Sequence, residues 1–216
     1  MSFYINNPSP CRPGAICGNP LAGLCEKALI EVTKVFDACR RQTTEIGLVL
    51  PLSNFEPVGP TLPLTYISAN ASGPATVSNV VIDRISSRPN FANVSATITI
   101  PIVVTYRDAN GVLGTATSSI VVTENVVLFV PQPSIMPIDI TAIATFTSTI
   151  GTIDAPGTTA TVNGCLTIII KVVATVDMLV PSYGYPVIPP CHASEVNLCP
   201  PEGELPLFPT AITCQQ

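Results

Sequence analysis

Hydrophobic and polar residues alternate along the middle of the chain with a period of two. Over 94–106 every second residue is Val, Ala, Ile or Tyr, and the positions between them are mostly Ser and Thr. A period of two places alternate side chains on opposite faces of a β-strand. This segment therefore predicts a strand with one buried face and one Thr-rich face. The same alternation recurs over 138–150 and 160–180.

Two turn sequences join these strands into predicted hairpins. Asp108 to Gly111 reads Asp-Ala-Asn-Gly, and a second strand is expected after it at 112–123. Asp154 to Gly157 closes another hairpin. Further strands are expected at 28–36, 47–52, 62–68 and 75–87. No segment carries a helical period longer than two turns. About eight antiparallel strands in a chain of this length predict an all-β fold, an antiparallel β-sandwich or jelly roll.

Proline and cysteine divide the chain into three parts. Proline occupies four of the first 20 residues and eight of the last 36, and such backbone favours extended structure over helix. Seven of the eight cysteines lie outside the long central stretch, and only Cys165 lies within it. We therefore expect an irregular Cys- and Pro-rich arm at 1–25, a β-sandwich body at 26–180 and a second such arm at 181–216.

The composition argues against nucleic-acid and membrane partners. The chain has 216 residues, of which 47% are hydrophobic and only 11% are charged, with a net charge of −5. Nucleic-acid binding by phosphate neutralisation is not expected, because there is no basic cluster larger than Arg40 and Arg41. Membrane insertion is not expected either, because no apolar stretch approaches the roughly 18 residues of a spanning helix. So apolar a chain suggests that much of its surface faces other protein.

The predicted strands are unusually long, and their outer faces carry few charges. Lys171 and Pro101 are the only residues in their strands that would block pairing at an exposed edge. Two interpretations stay open. The edges pair with a neighbouring subunit by strand addition, or the two arms cover them within one chain.

The cysteine spacing does not fit a metal site or a catalytic dyad. No CxxC pair occurs, and His192 is the only histidine, so neither zinc nor iron–sulfur ligation is expected. Cys191 and His192 are sequence neighbours on a Pro-rich arm, where adjacent side chains point apart. Glu202 and Glu204 are expected to be solvated charges. We therefore assign no catalytic, cofactor or metal residue, and do not expect an enzyme.

Disulfide formation is the remaining role for these thiols. Pairing within one chain would join the two arms, whereas pairing between chains would crosslink subunits, and both stay open. Eight cysteines allow 105 fully paired arrangements within a chain. The candidates are Cys11, Cys17, Cys25, Cys39, Cys165, Cys191, Cys199 and Cys214.

One segment resembles a known group of proteins. Residues 32–39 read VTKVFDAC and are similar to a "VxKVFDxC" phrase, which follows a Cys-bearing N-terminal stretch in uncharacterised proteins of spore-forming clostridia. The layout of the chain also resembles that of endospore appendage (Ena-type) subunits, although this chain is longer and has extra C-terminal cysteines. The resemblance implies a jelly roll with an N-terminal connector, polymerising through strand augmentation and intersubunit disulfides. It would make Cys11 and Cys17 the connector cysteines, received by Cys165 or the C-terminal group. Such a protein can oxidise after lysis of the mother cell, so no export signal is required.

The expected function is therefore structural. The chain is predicted to be a subunit that self-assembles head to tail into an extracellular or spore-surface fibre or coat, by strand augmentation and disulfide crosslinking. Its partner would be itself, as a homopolymer. One alternative is an adhesin or carbohydrate-binding β-sandwich, for which Tyr183 and Tyr185 form a candidate aromatic pair and the lack of Trp is unfavourable. Another is a virion or phage-tail structural protein.

Overall fold

The computed structural model describes residues 19, 21, 24 and 26–184. The predicted arms at 1–25 and 181–216 fall almost entirely outside these residues. Within them the regular structure is all β, and no helix occurs. The prediction of an all-β, antiparallel fold is therefore confirmed. The strands are β1 Glu26–Pro51, β2 Ser53–Glu56, β3 Thr65–Ala71, β4 Thr76–Arg84, β5 Phe91–Arg107, β6 Leu113–Phe129, β7 Asp139–Ile153 and β8 Thr159–Ser182.

Both predicted hairpin turns are present. β5 and β6 pair without interruption, from Phe91 opposite Phe129 to Arg107 opposite Leu113. Their turn is closed by the Gly111 amide, which donates to the Asp108 carbonyl at 3.0 Å. In the β7–β8 hairpin the Gly157 amide donates to the Asp154 carbonyl at 2.9 Å. Gly111 and Gly157 have φ values of 81° and 73°, a region that favours glycine.

All eight strands belong to one antiparallel sheet. Its order is β1-β8-β7-β3-β5-β6-β2, and β4 pairs with β5 off this path. β3 and β4 pair with successive parts of the same edge of β5. β1 and β2 are separated only by Leu52, yet they lie at opposite ends of the sheet order. The chain therefore passes directly from one end of the sheet to the other.

The core forms on one face of this sheet, as the alternation predicts. On β5, the even positions from Ala92 to Tyr106 are all buried, whereas the odd positions keep partial exposure. Burying an Ile or Val side chain stabilises the fold by about 1.5–3 kcal/mol. The largest fully buried side chains of the main cluster come from β1, β5, β6, β7 and β8, with Val130 just after β6: Leu50, Ile98, Ile100, Ile102, Leu128, Val130, Phe146 and Ile168.

β1 differs from its prediction in length. Two strands were expected, at 28–36 and 47–52, but the structure has one strand of 26 residues. The intervening segment has no clear apolar alternation, and its polar side chains are held by tertiary contacts instead. Asp37 Oδ2 accepts a hydrogen bond from the Phe129 amide at 2.7 Å, and Arg41 pairs with Glu124. Backbone pairing with β8 needs no particular side chain, so the strand continues through the polar stretch.

Pro101 and Lys171 do not lie on open edges. Pro101 is in β5, between β6 and the connection from β3 to β4, where its carbonyl accepts from the Ser72 amide at 3.0 Å. The N and C=O of a strand residue face the same side, so the missing amide hydrogen also faces this connection and no β5–β6 hydrogen bond is lost. Lys171 is in β8, which lies between β1 and β7.

The chain divides into two compact units. Thr33–Val176 forms one of them and contains every buried core residue of the described part. The other unit is formed by residues 1–32 and 177–216. Within it, the structure describes 26–32 and 177–184 as continuous segments. In this second unit Leu29 and Leu179 are 67% and 66% exposed. Strands β1 and β8 each contribute residues to both units.

Candidate assembly surfaces

Two of the eight candidate cysteines lie in the described part of the chain. Cys39 is on β1 and Cys165 is on β8, and both are partly buried free thiols. The other six lie outside the described residues: Cys11, Cys17, Cys25, Cys191, Cys199 and Cys214. No group of three or more His, Cys, Asp or Glu side chains within the described residues could hold a metal ion.

Cys39 faces the core. Its side chain packs against the main hydrophobic cluster. Burial raises the pKa of the Cys39 thiol, and the negative charges of Asp37 and Glu124 raise it further, whereas a hydrogen bond with the Ile170 backbone opposes them. Since the thiolate is the reactive form, this environment slows both alkylation and disulfide exchange at neutral pH.

Cys165 belongs to the outer face of β8. The next residue, Leu166, is buried at 2% exposure, and alternate side chains of a strand point to opposite faces. The Gln42 side-chain amide donates to Cys165 Sγ at 3.3 Å. This hydrogen bond lies on the exposed surface, so the thiol is accessible to a partner from outside the core.

The two thiols are placed too far apart to bond to each other. Cys39 contacts the β8 backbone at Ile170, which is five residues from Cys165. At roughly 3.4 Å per strand residue this separation is about 17 Å, whereas a disulfide requires Cα atoms within about 7 Å. The thiols also face opposite sides of the sheet. A disulfide at either position therefore needs one of the other six cysteines, or a cysteine of another chain.

β4 presents an open strand edge. Its pairing along one side runs from Thr76 opposite Thr99 to Arg84 opposite Ala92, with a bulge between Ser78 and Val81. On its other side the structure gives it no strand partner within 26–184. An edge of this kind exposes unpaired backbone N–H and C=O groups, to which another extended segment can pair.

Three consecutive side chains of this edge are aliphatic and exposed. Val80, Val81 and Ile82 have exposures of 41%, 60% and 38%. Arg84, at the end of the strand, is already engaged, because its guanidinium donates to the carbonyls of Val130 and Pro131 at 3.1 and 2.7 Å. Its positive charge is thereby directed to the protein's own backbone, whereas the neighbouring Asp83 is exposed.

A buried carboxylate is the most unusual polar group of the described core. Glu124 on β6 is buried, and its Oε2 lies 2.6 Å from Nη1 of Arg41, whose side chain is 58% exposed. The pair joins β6 to β1 by side chains. The sequence offers no signal for it, because the two residues are 83 positions apart.

A shallow concavity lies beside β2. It is lined by Pro51, Leu52, Ser53 and the run Thr117 to Ser119. Its polar groups are mainly hydroxyls: Ser53 Oγ lies 3.1 Å from Thr117 Oγ1. No titratable side chain lines it, so its geometry suggests no acid–base chemistry.

Most of the residues considered for carbohydrate binding or catalysis lie outside the described part of the chain. Tyr183 is described, whereas Tyr185, Cys191, His192, Glu202 and Glu204 lie outside the described residues. None of the residues that the structure describes forms a helix long and apolar enough to cross a membrane. No family model, curated protein or solved structure matches this chain.

Proposed function

We propose that this chain is a structural subunit that assembles with copies of itself, head to tail, into an extracellular or spore-surface fibre or coat. The observation that carries the proposal is the open edge of β4, with its exposed aliphatic run from Val80 to Ile82. A monomer normally protects such an edge with charges, proline or a covering segment, because it invites pairing between chains. In an assembling subunit the same edge is the means of attachment.

An added strand at β4 would be stabilised both by backbone hydrogen bonds and by side-chain contacts. An added strand satisfies the free N–H and C=O groups and covers the exposed aliphatic side chains at Val80 to Ile82. Each cross-strand side-chain pair contributes about 0.2–1 kcal/mol. Summed along a strand, pairs of this size give reversible association, which covalent crosslinks can then make permanent.

Disulfides supply the crosslinks in this proposal. Cys165 is on the outer face and cannot reach Cys39, so its oxidation requires a partner cysteine from elsewhere. The six cysteines of the terminal segments are the candidates. A bond from one of these segments to Cys165 of a second copy would join successive subunits.

The proposal includes a sandwich or jelly-roll arrangement of the unit Thr33–Val176. Support comes from the continuity of β1 and β2, which occupy opposite ends of the sheet order. A sheet joined in this way curls over its own buried face, and two facing layers pack about 10 Å apart. An experimental structure that shows such layers would verify it, and an open flat sheet would refute it.

Gel electrophoresis of material from the native source, boiled in SDS with and without reductant, tests the assembly. The expected result is a ladder of high-mass bands that collapses to the 22.6-kDa chain only with reductant. Electron microscopy of the unboiled sample should show fibres or sheets. A single monomer band in both lanes, together with monomers in microscopy, would refute the proposal.

A matched pair of variants tests the role of the outer thiol. Cys165→Ser removes the accessible thiol, and Cys39→Ser removes the one that faces the core. We expect the first to weaken or abolish the covalent ladder and the second to leave it unchanged. The reverse order would show that the crosslinks use the inner face of β1.

A further inference from the structure

We infer that the open edge of β4 accepts residues 2–7 of a second copy of this chain as an added antiparallel or parallel strand. The inference rests on the proposed function and makes it specific, since it names both the acceptor and the donor. It follows from the geometry of β4, the pattern of the N-terminal sequence and the length of chain between them.

The acceptor is short and is interrupted by a bulge. The β-bulge between Ser78 and Val81 divides β4 into two runs, and Asn79 within it has a φ of 50°. The Asn79 side-chain amide donates to Thr97 Oγ1 on β5, so the bulge is tied to the partner that β4 already has. A broken edge of this kind disfavours pairing with long strands and favours a short segment.

The donor is the first proline-free stretch of the N-terminal segment. Ser2 to Asn7 contains Phe3, Tyr4 and Ile5, which favour strands, and it has an amide hydrogen at every position. Prolines then follow at 8, 10, 13 and 20. Each proline lacks the donor that a ladder requires, so continuous pairing cannot extend far beyond Asn7.

The length and the charge of the N-terminal segment are compatible with the β4 edge. Six extended residues span about 20 Å, which lies within the roughly 30 Å of the nine-residue β4, so the donor crosses the bulge and pairs on both sides of it. The proline-rich residues 8–25 span up to about 55 Å in extended form, enough to reach a neighbouring molecule. The segment 2–7 carries no charged side chain, so it places no charge against Val80 to Ile82.

Two variants separate the donor from the acceptor. Val81→Lys puts a charge on the β4 edge and leaves the N-terminal segment intact, which makes a donor-only chain. The double substitution Phe3→Pro and Ile5→Pro removes two donor amides and leaves β4 intact, which makes an acceptor-only chain. The controls are Val121→Lys on β6, because Val121 is 61% exposed and Val81 60%, and Ser9→Pro, which lies between two existing prolines.

The measurement is light scattering after size-exclusion chromatography of full-length chains in reductant, so that disulfides play no part. We expect the unmodified chain and both controls to form polymers, and each edge variant alone to stay monomeric. An equimolar mixture of the two edge variants should form a dimer of twice the 22.6-kDa chain mass and nothing larger. Formation of that dimer also shows that the acceptor-only chain keeps a folded β4 edge, and circular dichroism checks the fold of Val81→Lys.

Other outcomes overturn the inference in distinguishable ways. Polymers of Val81→Lys would show that β4 is not the acceptor, and polymers of the proline variant would show that 2–7 is not the donor. A dimer of the proline variant alone would show that β4 pairs with β4 of a second copy. An unmodified chain that is monomeric in reductant but forms a covalent ladder without it would overturn the inference and leave the proposed function standing. A chain that stays monomeric in both conditions would refute the proposed function itself.

Discussion

Replacing Gly164 with alanine is expected to destabilise the core, because Gly164 lets the ring of Phe146 lie directly across β8. A Cβ atom at this position would lie 2.5 Å from Phe146 Cζ and 2.7 Å from the Thr147 carbonyl oxygen. Ordinary contacts of a Cβ atom are about 1 Å longer. The ring is fully buried and the carbonyl belongs to the backbone, so neither can move freely.

The size of the effect follows from these contacts. Adding a methyl group to a filled core costs about 1–3 kcal/mol. For a chain of about 200 residues each 1 kcal/mol lowers the melting temperature by roughly 2–4 °C, so Gly164→Ala should melt roughly 2–12 °C below the unmodified chain. Thermal unfolding followed by circular dichroism at one fixed scan rate measures this difference.

A second glycine serves as the matched control. A Cβ atom at Gly73 would meet only Pro101 Cγ, at 3.5 Å, which is an ordinary contact. Gly73→Ala should therefore change stability by no more than about 0.5 kcal/mol. Adding Phe146→Leu to Gly164→Ala should cost less than the sum of the two single changes, because the smaller side chain vacates the space. A Gly164→Ala chain that melts within about 1 °C of the unmodified one would refute the packing argument.

Three further predictions concern the thiols and the charged groups. Peptide mapping of the oxidised monomer band should find no bond between Cys39 and Cys165, and the raised pKa of Cys39 should shift its alkylation rate curve to higher pH than that of an ordinary thiol; a Cys39–Cys165 peptide from the monomer would contradict the sheet register. Four hydrogen bonds from the β7–β8 turn lower the pKa of Asp154 to about 2. Its stabilising effect should therefore be complete above the unfolded pKa of about 3.9 and be lost as pH falls through 2, so Asp154→Asn should melt lower than the unmodified chain at pH 7 but not at pH 2. Arg41→Met leaves the buried Glu124 carboxylate without its cation and should cost about 1–2 kcal/mol in urea unfolding, between the values of exposed and buried pairs, whereas adding Glu124→Gln should restore part of it.

The sequence by itself determined the strands of the central hairpins and their turns. The alternation over 94–106 gave the buried face of β5, and Gly111 and Gly157 marked turns that need positive φ. These features are local: side-chain alternation follows from strand geometry, and a turn depends on four adjacent residues. The same reasoning failed over 37–46, where no apolar alternation occurs and β1 nevertheless continues.

Only the tertiary structure decided which strands are neighbours and which edges stay open. From the sequence, Pro101 looked like an edge residue. In the structure it lies in β5, which has strand neighbours on both sides, and the position of its missing amide hydrogen faces the connection between β3 and β4. The cysteine positions allowed a bond between Cys39 and Cys165, and the pairing of β1 with β8 separates them by about five residue steps. The open edge of β4 was likewise invisible in its own sequence. Strand pairing joins residues far apart in the chain and depends on the whole sheet, whereas alternation reports only which face of a strand is buried.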